Sequence, residues 1–147
     1  MKKEKIVLAS GVFDLIHLGH VKFLEEAKKA GGKKAKLIVV VARDQTVIKF
    51  KGKPPILPEN ERRMLVEALK PVDLAILGYE DFDVSKIIRE YKPDIIAFGH
   101  DQDNIEKEVK KFLEKEKLNI KTVKIGKFDF WEASSSSKLK RKLEENL

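Results

Sequence analysis

Short apolar runs alternate along this chain with longer stretches of amphipathic character. Residues 6–9, 37–42, 74–77, 95–98 and 120–125 are brief and mostly rich in Ile and Val. That is the composition of strands buried on both faces of a sheet. Between them, apolar side chains recur at helical spacing. Val21, Leu24 and Ala27 form a stripe that stops at Gly31 and Gly32, a helix-ending signal. Met64, Leu65, Ala68 and Leu69 form a second stripe, behind the acidic start Glu59-Asn60-Glu61 and ahead of Pro71. Ile87, Ile88 and Tyr91 precede Pro93, and Ile105, Val109, Phe112 and Leu113 make a further stripe. Leu139 and Leu143 make the last, after a run of serines. Segment 49–58, with Gly52 and three prolines, reads as a mobile loop.

Strand–helix alternation of this kind predicts an α/β fold: a single Rossmann-like three-layer domain over residues 1–147. Its five-stranded sheet is expected to be mainly parallel, with helices on both faces. Ligands of such sheets bind beyond the carboxyl ends of the strands, near the point where strand order reverses. Chemistry is therefore expected directly after the apolar runs.

Composition narrows the classes. The 147 residues are 42% hydrophobic and include no cysteine, so the chain is globular and has neither a disulfide framework nor a thiolate metal site. The apolar run at 6–9 is too short for a secretory segment or a bilayer span, which makes a soluble cytoplasmic protein the expectation, with no membrane partner. A net charge of +7 suits a polyanionic ligand. With 37% charged residues, the same charges also suit surface ion-pair networks of proteins from hot environments. No basic helix with interleaved aromatics is present, so nucleic acid is not the expected partner.

The first strand leads into Ser10-Gly11-Val12-Phe13-Asp14, and His17 and His20 follow with Gly19 between them. A strand-to-helix junction attracts anions through backbone N–H groups and the helix dipole. Gly19 gives a phosphate room to approach, and imidazoles three residues apart at a first helical turn can point the same way. Two histidines could begin a metal site, but no third ligand has suitable spacing. No Ser or Cys nucleophile is placed with them, so covalent catalysis is not indicated. What remains is donation of hydrogen bonds to a phosphate chain, the positioning and charge cancellation that phosphoryl and nucleotidyl transfer require.

The run Gly11-Val12-Phe13-Asp14-Leu15-Ile16-His17-Leu18-Gly19-His20 resembles the signature of the cytidylyltransferase-like nucleotidyltransferases, Gly-x-Phe-Asp followed by His-x-Gly-His. Further stretches are similar to the archaeal FAD synthases, which move AMP from ATP to FMN. These are Val40-Val41-Ala42-Arg43-Asp44-Gln45-Thr46-Val47, Lys51-Gly52-Lys53-Pro54, Glu61-Arg62-Arg63, Ala68-Leu69-Lys70-Pro71-Val72-Asp73 and Gly99-His100-Asp101-Gln102. The chain lacks the C-terminal cysteines of some of those enzymes. His100-Asp101 also looks like bacterial glycerol-3-phosphate cytidylyltransferases, which keeps CTP and a different phosphate acceptor as an alternative.

The resemblance implies roles. Val12 and Phe13 would line the nucleotide site through their backbone, with Leu18 and Gly19 completing the turn. His17 and His20 would bind the triphosphate and stabilise the transition state. Asp14 would orient the acceptor or a metal-bound water. Lys51 or Lys49, with Lys51 favoured, would close over the phosphates. Arg62 would contact phosphate, and Asp101 a ribose hydroxyl or the adenine amine. Ser135 and Ser136, within the serines 134–137, would donate to phosphates. Phe128, Phe130 and Trp131 would stack on adenine or flavin, or pack against the sheet. Mg2+, carried largely by ATP and water, is the implied cofactor, and a homodimer is the implied assembly. From a different class, a non-catalytic nucleotide or flavin sensor would bind without turnover.

Overall fold

The computed structural model describes residues 4–80, 83–126, 141, 143 and 144. Five strands, β1 (Ile6–Gly11), β2 (Lys36–Val41), β3 (Leu74–Leu77), β4 (Ile95–Phe98) and β5 (Lys121–Lys124), form one sheet in the order β3-β2-β1-β4-β5. Every pairing is parallel. The helices are α1 (Leu18–Lys29), α2 (Asp44–Lys51), α3 (Glu59–Glu67), α4 (Val84–Tyr91) and α5 (Asp103–Lys115).

Alternation along the strands builds two cores. Val7, Ala9, Leu37, Val39 and Val41 face α1 and α3, and pack with Leu24, Ala27 and Val66. Leu8, Ile38, Val40, Ile96 and Phe98 face the other way, toward Ile87 and Ile88 of α4 and Val109 and Leu113 of α5. Neither face of the central strands can be polar, which is why they read as unbroken apolar runs. The first three strands proceed outward from β1. The chain then crosses back, and β4 pairs on the opposite side of β1. The reversal of strand order therefore lies between β1 and β4.

At the opposite end of the sheet, carboxylates from incoming strands catch unpaired N–H groups. Asp94, just before β4, accepts from Ile6 N at 2.8 Å, and Asp73, just before β3, accepts from Leu37 N at 2.8 Å. No helix among the described residues is long and apolar enough to cross a membrane.

Two local expectations change. Residues 44–51 are helical, so the irregular segment is shorter than 49–58 and begins at Gly52, whose φ of +78° ends α2 in the left-handed conformation. In α3 the inward residues are Arg62 and Val66, while Met64 and Leu65 are exposed. An arginine occupies the buried helical position that the apolar stripe assigned to its neighbours.

Candidate nucleotide site at the strand ends

A cavity of about 710 Å³ opens over the carboxyl ends of the strands. Gly11, Val12, Phe13, Asp14, His17, Gly19 and His20 all line it, as do Lys51 and Asp101. One segment of ten residues thus supplies much of the wall, because it is the turn between the central strand and its helix.

The turn has a specific internal structure. Phe13 takes a φ of +53°, which is uncommon for a side-chain-bearing residue. Its ring folds back over Gly11, where an added Cβ would lie 2.8 Å from ring carbons. Only glycine fits there. The ring then packs edge-on against His20, with centroids 5.4 Å apart.

The two histidines close the start of α1 on each other. His17 is the N-cap, and its Nδ1 accepts from Gly19 N at 3.1 Å. His20, three residues on, accepts from His17 N through its own Nδ1 at 3.2 Å. This is the reciprocal arrangement of a capping box, with imidazoles in place of Ser and Glu. The rings lie 4.0 Å apart at 30°. An Nδ1 that accepts a hydrogen bond carries no proton, so each neutral ring holds its proton on Nε2. The pair therefore presents two Nε2–H donors. This refines the sequence reading, because the capping nitrogens occupy the first-turn N–H of Gly19 and pass the donor role to the imidazoles.

Both rings resist protonation. His20 is pushed down from 6.5 to about 4, first by burial and then by the neighbouring His17 and Lys51, and burial also lowers His17. Below about pH 6.5 the unfolded chain takes up a proton that folded His20 refuses until about pH 4. Stability is therefore level above this window and falls as pH drops through it. The melting temperature of the parent is expected to decline from pH 7 to pH 5. His20→Gln, which keeps a capping side chain, is expected to flatten that slope.

Several residues expected at the ligand make framework bonds. Asp14 is 4% exposed, and its two oxygens accept from Ile56 N and Leu57 N, each at 2.9 Å. Its carboxylate pins the 52–58 loop to the first turn while also lining the cavity. Asp14→Ala is expected to cost about 3 kcal/mol, the scale of two bonds to a charged group. It should also expose segment 52–58 to limited proteolysis, which a protease time course would register.

Arg62 is fully buried. It donates to the carbonyls of Leu57, Val12 and Ala42 and to Asp44 Oδ1, at 2.7 to 2.9 Å. Four of its five N–H groups are spent inside the protein, and it does not line the cavity. In this structure the guanidinium serves the framework behind the histidine turn. Leu18 likewise stands off the cavity wall, and so does Lys49, whereas Lys51 lines it. Asp101 lines the wall and is exposed, and the N-cap of α5 is Gln102. Phe128, Phe130, Trp131 and the serines at 134–137, with Ser135 and Ser136, lie outside the described residues.

Two residues without an assigned role hold the ends of the sheet together. Gln102 Oε1 accepts from Gly99 N at 2.8 Å while its Nε2 donates to Ser10 O at 3.0 Å, bridging the ends of β4 and β1. Arg43 donates from Nε to Gly78 O at 2.6 Å and pairs with Glu59 at 3.1 Å, joining the turns after β2 and β3 to the start of α3. Their position directly after a strand was the available signal.

The carboxylates lining the cavity are Asp14, Asp83 and Asp101. The first is committed to backbone donors, and Asp83 accepts from Ser85 N at 3.0 Å at the start of α4. Among the described residues no group of three or more His, Asp or Glu gathers to hold a metal ion. The donor set suits a cation that arrives on phosphate oxygens.

The cytidylyltransferase-like family model matches residues 8–142, which include the histidine turn and all of β2 to β5. The chain belongs to that family. Similar curated proteins include the FAD synthase of Methanopyrus kandleri. It is 46% identical over 142 residues, covering 96% of this chain and 93% of the relative. The FAD synthase of Thermoplasma acidophilum is 49% identical over 139 residues, covering 95% and 94%. A crystal structure described as a lipopolysaccharide core biosynthesis protein from Thermoplasma volcanium GSS1 aligns with a TM-score of 0.77 at 46% identity. That alignment covers 86% of this chain and all 100% of that one. Pantoate-beta-alanine ligase from Francisella tularensis, solved with beta-gamma ATP and beta-alanine, shares the fold. Its TM-score is 0.62 at 14% identity, over 86% of this chain and 60% of that one.

Proposed function

We propose that this protein is an FAD synthase that transfers AMP from ATP to FMN, releasing pyrophosphate. The observation that carries the chemistry is the pair of Nε2–H donors at the start of α1, held neutral and facing a cavity at the reversal of strand order. The acceptor is carried by similarity to FAD synthases along nearly the whole chain.

A phosphate oxygen of FMN attacks the α-phosphorus of ATP. The new P–O bond forms as the bond from the α-phosphorus to the oxygen bridging it to the β-phosphorus breaks, and that oxygen leaves with pyrophosphate. The FMN phosphate is already ionised at neutral pH, so no residue need act as a strong base. His17 and His20 donate to the phosphate oxygens on which charge builds, at the positive end of the α1 dipole. Because neither ring needs to gain or lose a proton, their low proton affinity is an asset. Lys51, at the end of α2 before the left-handed Gly52, supplies a mobile positive charge at the cavity rim. Asp101 offers a carboxylate to a ribose hydroxyl or base amine. Mg2+ bound to the triphosphate would neutralise charge on the oxygens facing the histidines.

The test offers ATP or CTP with FMN or glycerol 3-phosphate and follows pyrophosphate release. FAD formation from ATP and FMN is the expected result. Preferential turnover of CTP with glycerol 3-phosphate would replace this acceptor assignment. Tight binding without release of pyrophosphate would point to a sensor.

A further inference from the structure

One buried polar atom in the cavity wall is left without a partner among the described residues. Thr46 lies on α2, lines the cavity and is 4% exposed, and its hydroxyl has no hydrogen-bond partner among the described residues. A helical threonine ordinarily bonds its hydroxyl to the carbonyl three or four residues back. Those carbonyls belong to Arg43, which accepts from Val47 N at 3.0 Å, and Ala42, which accepts from Arg62 Nη1 at 2.7 Å. A buried hydroxyl left in this way is costly unless something from outside satisfies it.

Its surroundings indicate what that is. Phe50 sits one turn along the same face of α2, also lines the cavity and is 65% exposed. Tyr79 lines the neighbouring wall and is 37% exposed. Strand register brings these walls together, since Val41 pairs with Leu77 and Arg43 Nε reaches Gly78 O at 2.6 Å. Strand order then sets the layout. β1, which leads into the histidines, lies between β2 and β4. The phosphate donors therefore stand between a compartment over β2 and β3, with exposed aromatics and a free hydroxyl, and one over β4 that holds His100 and Asp101. A product made of two flat ring systems joined by a pyrophosphate has the same layout.

We infer that the compartment over β2 and β3 takes the ring system of the acceptor, with Thr46 Oγ1 hydrogen-bonded to its polar edge and Phe50 against its face. The inference rests on FMN being the acceptor. Its test compares the parent enzyme with Thr46→Val and Phe50→Ala, measuring KM for FMN, KM for ATP, turnover and the melting temperature of the ligand-free protein. Thr46→Val is expected to raise KM for FMN about 3- to 10-fold, the scale of one neutral hydrogen bond. KM for ATP should stay within about twofold, and the melting temperature should hold or rise because an unsatisfied hydroxyl is removed. Phe50→Ala should raise the same KM selectively. An unchanged KM for FMN in both variants, or an equal rise in both constants, would overturn the inference. So would a lower melting temperature for Thr46→Val, which would reveal a protein partner for the hydroxyl. A parent enzyme that makes no FAD removes the acceptor assignment itself, and that outcome is read before either variant is assayed.

Discussion

His17→Asn is expected to lower turnover about 100- to 1000-fold, the loss typical of removing one donor to a developing oxyanion, while the protein melts within a few degrees of the parent. The choice of asparagine separates two jobs that one imidazole performs. Nδ1 of His17 caps α1 through Gly19 N at 3.1 Å, and an asparagine oxygen at an N-cap takes over that bond. No asparagine atom reproduces Nε2–H at the far side of the ring. His17→Ala would lose both and add about 1 kcal/mol of lost capping. Steady-state rates of FAD formation beside thermal melts of the two variants make the comparison. Full turnover in His17→Asn would reduce this histidine to a capping residue.

Arg62→Met is expected to destabilise the fold by about 3–5 kcal/mol, as for breaking a buried ion pair, which is a drop of roughly 10–20 °C in melting temperature for a domain of this size. Methionine fills comparable space but donates nothing. The carbonyls of Val12, Ala42 and Leu57 and the carboxylate of Asp44 all lose a partner at once. Those groups belong to the turn after β1, the turn after β2 and the loop ahead of α3, so the damage spreads through the wall of the cavity. Thermal or urea melts measure it. A variant with parental stability but a greatly raised KM for ATP would return Arg62 to the phosphate-binding role that its place in the sequence suggested.

These two residues show how far the sequence could be read. His17 and His20 were legible because their function lies in local spacing, and three positions along a first helical turn bring two rings together wherever the helix sits. The strands were legible because burial on both faces leaves no polar positions. Arg62 was not legible, because nothing in Glu61-Arg62-Arg63 says which guanidinium turns inward. That is decided by three carbonyls up to fifty residues away in the chain. Its helical spacing from buried Val66 was the one local clue. Helix α2 was missed for a related reason. It is short, buries Thr46 and Val47, and carries β-branched and aromatic residues that favour strands. Its start is fixed by Glu59, which accepts from Asp44 N at 2.8 Å across a loop. The framework bonds of Asp14 were not legible, because the two loop amides it accepts from lie more than forty residues along the chain.

The amide of Gln102 has a further consequence. It spans the reversal of strand order between β1 and β4, touching Gly99 on one side and Ser10 on the other. An unbridged gap there would be free to widen or narrow with each ligand, and part of every binding event would be spent fixing its width. With one side chain acting as a spacer, the floor beneath the nucleotide is set before any substrate arrives. Substrates that bind at the histidine turn would then meet a base whose width the protein itself holds.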